Sequence, residues 1–358
     1  MRIVWNSFHG RYSDSPRALY EGLVERLDAR GDADVEHVWL AHHDHRHLFP
    51  GAARIVDIDS AEATTALESA DLVVASSHLR VPWEKPAGAT YLQTWHGTPL
   101  KRVHRDVLWA PDGLLDELDR DIEKWDLLLS PNPVSTPRLA GAFRYDGEVL
   151  ESGLPRNDLL VSSRRDEVRD RLRRELEIPD GATVVLYAPT WRDSEGYDES
   201  RSVPLRLDLD ELGAVLGEDH VVLTRAHNMV TGRWAVEERP WVRDVSFHAD
   251  IAELYATADV MVTDYSSTMF DFTITGRPLL FLAEDLEDYR DSERGFYFDL
   301  WPEAPGPVVR STKELTEALL ALPEVQREHA TAYAAFQERY NSLEDGHATT
   351  RVLDHLGL

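Results

Sequence analysis

The chain contains no cysteine, which removes disulfides, thiolate nucleophiles and cysteine-based zinc sites together. It has no run of about 18 apolar residues, the length needed to span a bilayer. The opening MRIVW lacks the apolar core and small-residue cleavage site of a signal peptide, so the expected location is the cytoplasm. Lysine is scarce, standing only at Lys85, Lys101, Lys124 and Lys313, and the positive charge is overwhelmingly arginine. Acids outnumber bases to a formal net charge of −27. Nucleic acid and anionic membrane are repelled at long range by such a surface, which excludes broad, non-specific binding to either. Any phosphate this protein binds must be held by a local site.

What is present is a water-soluble globular composition of 42% hydrophobic and 29% charged residues. A chain of 358 residues suits two α/β lobes of about 150 residues each. Short apolar, β-rich runs alternate with helical patterns at Ile3 to Trp5, Glu36 to Leu40, Arg54 to Ile58, Leu72 to Ser76, Thr90 to Thr94 and Leu127 to Leu129. A second series stands at Thr183 to Ala188, His220 to Arg225, Val260 to Thr263 and Leu279 to Leu282. This rhythm predicts parallel sheets built from βαβ units. The charged helical stretch SSRRDEVRDRLRRELEIPDG separates the two series. Lobes are therefore expected over residues 1–165 and 166–325, with C-terminal helices over 326–358 packing back on the body.

In open α/β sheets, ligands bind beyond the C-terminal ends of the strands. Strongly polar segments stand at those positions here. In TWHGTP, His96 leaves a predicted strand on a turn of Gly97, Thr98 and Pro99, where a near-neutral imidazole suits a general base. The plainer alternative is a histidine that merely bonds the turn. In TDYSSTMFDF, Asp264 is followed by Ser266, Ser267 and Thr268, whose hydroxyls suit a diphosphate cradle or, more simply, a helix cap. Arg192 in APTWR, and Arg225 with His227 in RAHN, place cations at two further strand ends, where they can neutralise a leaving diphosphate or merely face solvent. Four such segments at strand ends point to a site. The stretch His42 to His47 (HHDHRH) has metal-binding atoms but no closed ligand spacing, and reads as a solvated loop. No metal site is expected, and the acidic run Glu284 to Asp288 reads as a solvated face.

The segments SFHGRYSDSPRALYE, QTWHGTPLK, SGLPRND, VLYAPTWR, VTDYSSTMFDF and RPLLFLAEDLEDYRDSERGFYFD occur in that order from Ser7 to Asp299. As an ordered set they resemble the CDP-glycerol glycerophosphotransferases of wall teichoic acid synthesis, the TagB/TagF group. The resemblance implies a GT-B architecture: two facing Rossmann-like lobes, the second holding the CDP donor and the first shaping the acceptor side. It implies His96 as general base, with Arg192 and His227 beside it in catalysis. Arg225, Asp264, Ser266, Ser267 and Thr268 would bind the donor. Gly97, Thr98, Arg156, Asn157 and Asp158 would be structural or acceptor-side. The implied reaction is displacement at the β-phosphorus of CDP-glycerol by an acceptor hydroxyl, releasing CMP, with no cofactor or metal. The implied acceptor is a polyprenyl-diphosphate-linked or polymeric chain at the inner membrane face, so peripheral contact there is expected, for which Thr136 to Tyr145 is a candidate segment. CDP-ribitol or another CDP-polyol as donor, sugar-nucleotide glycosyltransfer, and a non-catalytic nucleotide-diphosphate-binding partner subunit stand as alternatives. Nothing in the pattern specifies an oligomer or implies nucleic acid as a partner.

Overall fold

The computed structural model describes residues 1–31, 34–51, 53–192, 203–227, 236 and 239–358. The first lobe is a sheet of β1 (Arg2–Asn6), β2 (Glu36–Ala41), β3 (Arg54–Asp57), β4 (Leu72–Ala75), β5 (Thr90–Gln93), β6 (Leu127–Ser130) and β7 (Glu148–Glu151), ordered β3-β2-β1-β4-β5-β6-β7. The second contains β8 (Thr183–Tyr187), β9 (His220–Thr224), β10 (Val242–Asp244), β11 (Val260–Thr263), β12 (Leu279–Leu282) and β13 (Val308–Val309), ordered β10-β9-β8-β11-β12-β13. Every pairing in both sheets is parallel. The parallel sheets expected from the βαβ rhythm are present, and so are the two Rossmann-like lobes that the family resemblance implies.

Both sheets are covered on both faces, which is why their central strands read as continuous apolar runs rather than alternating ones. Along β1 the two-residue period sends Val4 to one face, with Val38, Val73 and Phe143, and Ile3 and Trp5 to the other, with Leu19 and Trp39. In the second lobe, Val184 and Leu186 face one cluster with Tyr255 and Phe270, while Val185 and Tyr187 face another with Leu212 and Leu315. In each sheet the strand order reverses beside the strand that starts the lobe: between β1 and β4, and between β8 and β11. Those crevices are where loops diverge and ligands enter.

The helix Leu322–Tyr340 packs Phe336 and Tyr340 into the second lobe. The chain then crosses back: helix Ala348–His355 buries Val352 and Leu353 among first-lobe residues, and Arg26 bonds Asp354 at 2.7 Å. The stretch His43–Leu48 is a short 3-10 helix, not the loop expected from its composition. That turn gathers ligand atoms of His42, His43 and Asp44 within 4.8 Å of one another, among residues that do not line the cavity between the lobes. Most of Thr136 to Tyr145 is a helix packed on its own lobe. Helix Thr136–Phe143 buries Leu139, Ala142 and Phe143, and Arg138 lies over Tyr297 and Phe298. Among the described residues, no helix is long and apolar enough to cross a membrane.

Candidate functional site

Between the lobes, the loops after β1, β5, β8, β9 and β11 surround a cavity of about 150 Å³. From the first lobe come Phe8, Arg11, Asp14 and His96; from the second come Pro189, Arg225, His227 and Ser266 to Thr268. A wider chamber of about 550 Å³ opens beside it, lined by Trp95, Trp109, Leu114 and Arg102 among others. Phe8, His96, Lys101, His227 and Ser267 line both spaces. The two spaces therefore meet at the two histidines.

His96 follows Trp95, whose φ of +52° turns the chain sharply out of β5. Its Nδ1 lies 2.8 Å from the carbonyl oxygen of Ser76. A carbonyl only accepts, so Nδ1 carries the proton and Nε2 holds the lone pair. The ring is pinned between Trp95, 4.0 Å away by centroid, and Phe8 at 5.3 Å. Burial lowers the His96 pKa to about 4, partly opposed by the Ser76 bond and by Asp14. It is a neutral base at pH 7. His227 is held well below the ordinary imidazole range by burial first, and then by the positive charges of Lys101, Arg294 and Arg11. Cationic groups thus converge on this corner of an otherwise acidic molecule.

Gly97 lies where the lobes nearly touch. A Cβ there would stand 3.0 Å from Ser267 Oγ and 3.2 Å from Ser267 Cβ, at a φ of +155°. Ser266 and Ser267 precede the helix Thr268–Phe272, with Ser266 Oγ accepting from the Thr268 N–H at 3.4 Å. All three hydroxyl residues line the cavity. Arg225 lines it too, but its guanidinium donates to the carbonyls of Val245 and His248 at 3.1 and 2.8 Å, and burial lowers its pKa to about 10. At neutral pH it stays charged. Asn228, the end of the RAHN segment, lies outside the described residues.

Arg192 and Asp264 do not line the cavity, unlike their expected place beside the donor. Arg192 donates to Asp264 at 2.9 Å and to both oxygens of Asp285 at 2.7 and 2.8 Å, with Tyr265 and Tyr289 against its guanidinium. Asp264 also accepts from the backbone N–H groups of Thr190 and Tyr265. A carboxylate at a strand end attracts the nearest cation, and this pair binds the loop after β8 to those after β11 and β12. Through Thr190 and Tyr265 they hold the chain next to Pro189 and Ser266, which do line the cavity.

Arg156 is buried and forked between the lobes: 2.6 Å to Asp14, 2.6 Å to Asp271 and 2.9 Å to the carbonyl of His96. Asn157 donates to Asp271 and to Glu344. Thr98 is buried and accepts from Asn132. Asp158 stands apart from the cavity and accepts from the backbone N–H groups of Ala348 and Thr349. The structure therefore brings together His96, Gly97, His227, Arg225, Ser266, Ser267, Thr268 and Arg156 around the two chambers, keeps Thr98 on the wall of the larger one, and leaves Arg192, Asp264 and Asp158 outside their lining. Sequence reasoning missed Arg11, Asp14, Lys101, Tyr255 and Asp271, all cavity-lining. Arg11 and Asp14 sit after β1, so the strand-end rule applied to the first strand would have found them; Tyr255, inside an apolar helix, gave no signal.

A family model for CDP-Glycerol:Poly(glycerophosphate) glycerophosphotransferase matches residues 1–357. The chain is 38% identical over 361 residues to a teichoic acid glycerol-phosphate transferase of Staphylococcus aureus, a match covering 98% of this chain and 91% of that protein. It is 36% identical over 362 residues to the teichoic acid poly(glycerol phosphate) polymerase of Bacillus subtilis, covering 98% of this chain and 48% of the polymerase. It thus spans about half the length of that relative. The solved structure of the wall teichoic acid polymerase TagF superimposes with a TM-score of 0.90 at 35% identity, covering 99% of this chain and 88% of that one. The ordered strand-end motifs, the GT-B pair of lobes and these matches agree: the chain belongs to the CDP-glycerol:poly(glycerophosphate) glycerophosphotransferase family, and it is a glycerophosphotransferase.

Proposed function

We propose that this enzyme moves a glycerol-phosphate unit from CDP-glycerol to the hydroxyl of a teichoic-acid-like acceptor carried at the membrane surface, releasing CMP. The observation that carries the reading is the shared wall of the two chambers, where His96 presents an unprotonated Nε2 and His227 stands among cations. The donor diphosphate lies in the smaller cavity against Ser266, Ser267 and Thr268, with Arg11, Lys101 and His227 facing its charge. The acceptor enters through the larger chamber. His96 Nε2 takes the proton of the acceptor hydroxyl as its oxygen bonds to the β-phosphorus. The bond from that phosphorus to the bridging oxygen breaks, and CMP leaves with the electron pair. Positioning and charge neutralisation supply most of the rate, and we assign these to side chains rather than to a metal or cofactor. Glycerol is favoured over ribitol because the relatives at 36–38% identity are named for glycerol phosphate.

The leaving nucleotide tests this directly. Incubation with CDP-glycerol and a glycerol-phosphate-primed acceptor should yield CMP by mass analysis, in step with acceptor growth by one phosphoglycerol mass per event. Release of CDP, or of no nucleotide, would replace phosphoryl transfer by another chemistry.

A further inference from the structure

The floor of the smaller cavity differs in character from the wall that faces the histidines. Tyr255, on helix Ile251–Thr257, is fully buried yet lines the cavity, and its hydroxyl has no hydrogen-bond partner among the described residues. Phe272 holds its ring edge-on at 6.0 Å. Arg156 Nε is a second buried donor without a partner. Asp14 and Asp271 stand beside them, each 3% exposed at the side chain and each already accepting from Arg156 at 2.6 Å. Asp271, Arg156, Arg225 and Asp14 are the charged groups acting on the Tyr255 hydroxyl, and burial followed by Asp271 pushes its pKa up. The phenol stays neutral and a donor.

Buried donors without acceptors are costly unless a ligand satisfies them. A phosphate oxygen would satisfy Tyr255 and Arg156 Nε, but it would also sit against two carboxylates at low dielectric, where like charges repel strongly. A hydroxyl has no such conflict. It accepts from the phenol or from Arg156 Nε, and donates its own proton to a carboxylate lone pair that Arg156 leaves open. Two adjacent hydroxyls match two donors and two acceptors. Asp14 and Asp271 balance Arg156 and Arg225, so the floor is close to neutral overall, and suits an uncharged polyhydroxyl group rather than an anion.

We infer that Tyr255, with Asp14, Asp271 and Arg156, forms a diol-recognition floor that holds a vicinal diol of the donor and orients its diphosphate toward Ser266 to Thr268. This assignment rests on the cavity being the donor site. Two groups of a CDP-activated glycerol present such a diol, the glycerol end and the ribose.

Calorimetric titration of wild type and Tyr255→Phe with CDP-glycerol, CDP and 2′-deoxy-CDP separates the cases. Removal of a buried hydroxyl that has no protein partner should leave the Tm without ligand unchanged or raised, while the Kd for CDP-glycerol rises roughly three- to tenfold. An unchanged CDP affinity identifies the diol as glycerol's. An equal loss for CDP, absent for 2′-deoxy-CDP, identifies it as the ribose. Equal Kd values for CDP-glycerol in both proteins, or a loss that merely follows a fallen Tm, would overturn the floor while the donor reading stands. Failure of the wild type to bind either CDP-glycerol or CDP would overturn both.

Discussion

His96 shows how one side chain acquires its tautomer and protonation state from its neighbours. The Ser76 carbonyl fixes the tautomer, Trp95 and Phe8 fix the ring, and burial makes it a weak base with a pKa of about 4. A base so weak gains strength when an anion arrives, because nearby negative charge favours the imidazolium. The acidic limb of kcat/KM, which reports the unliganded enzyme, should therefore fall near pH 4, and that of kcat should fall at higher pH. His96→Ala should lower kcat about 10² to 10⁴-fold, abolish both limbs and keep donor affinity. Stability is linked with the same sign. The unfolded chain binds a proton at this residue near pH 6.5 and the folded one only near pH 4, so folding stability falls as pH drops through that window. Near-normal turnover of His96→Ala, or activity lost only in step with folding, would mean that another group or water takes the proton. This residue was legible in the sequence because a histidine after an apolar strand is aimed by the sheet itself. Arg192 was equally visible, but sequence does not reveal which carboxylates claim a cation: here Asp264 is 72 positions away and Asp285 is 93.

At the scale of elements, legibility followed burial. The ten strands with apolar runs were readable, whereas β7, β10 and β13 were not. All three are edge strands, as is the readable β3: β7 carries Glu148 and Glu151, β10 is Val-Arg-Asp and β13 has two residues. A strand paired on one side needs less apolar surface, so its sequence blends into its loops. The loops meet with little tolerance. The TWHGTP loop of one lobe approaches the YSST loop of the other so closely that a Cβ at position 97 would stand 3.0 Å from Ser267 Oγ. Gly97→Ala should press a methyl group on Ser267 and force a backbone angle disfavoured for alanine, shifting Ser267 by a few tenths of an ångström. Small misplacements at a reacting centre are expensive in rate. We expect kcat/KM to fall at least tenfold, with far-UV circular dichroism unchanged; wild-type kinetics would show that the loops separate freely.

At the scale of the whole molecule, a net charge of −27 coexists with a cavity in which cations outnumber acids, Arg11, Lys101, Arg156 and Arg225 against Asp14 and Asp271. The lobes are joined across that cleft by ion pairs as well as by the chain: Arg156 bridges Asp14 and Asp271, and Arg17 reaches Asp250 and Glu253 at 3.3 Å. None of these partners was readable in advance, since each pair lies more than 100 residues apart in sequence. The returning C-terminal helix completes the connection; besides its buried Val352 and Leu353 and the Arg26–Asp354 bond, Asp158 helps to fasten its N-terminus. Its carboxylate accepts at 2.9 and 2.8 Å from the N–H groups of Ala348 and Thr349, the first turn of helix Ala348–His355, where no intrahelical acceptor exists and negative charge is favoured. That is the job of a helix cap, performed from a distant segment next to the Arg156 fork. Loss of a cap costs about 0.5–2 kcal/mol. Domains of this size move about 2–4 °C in Tm for each kcal/mol, so Asp158→Ala should lower Tm by a few degrees. The Kd for CDP-glycerol should stay at the wild-type value, because Asp158 does not line the cavity. Asp158→Asn should restore part of the loss, since the amide oxygen still accepts while the charge is gone. A donor-affinity defect in Asp158→Ala at unchanged Tm would instead place this residue in the binding machinery and leave the helix return to its buried Val352 and Leu353 and the Arg26–Asp354 bond.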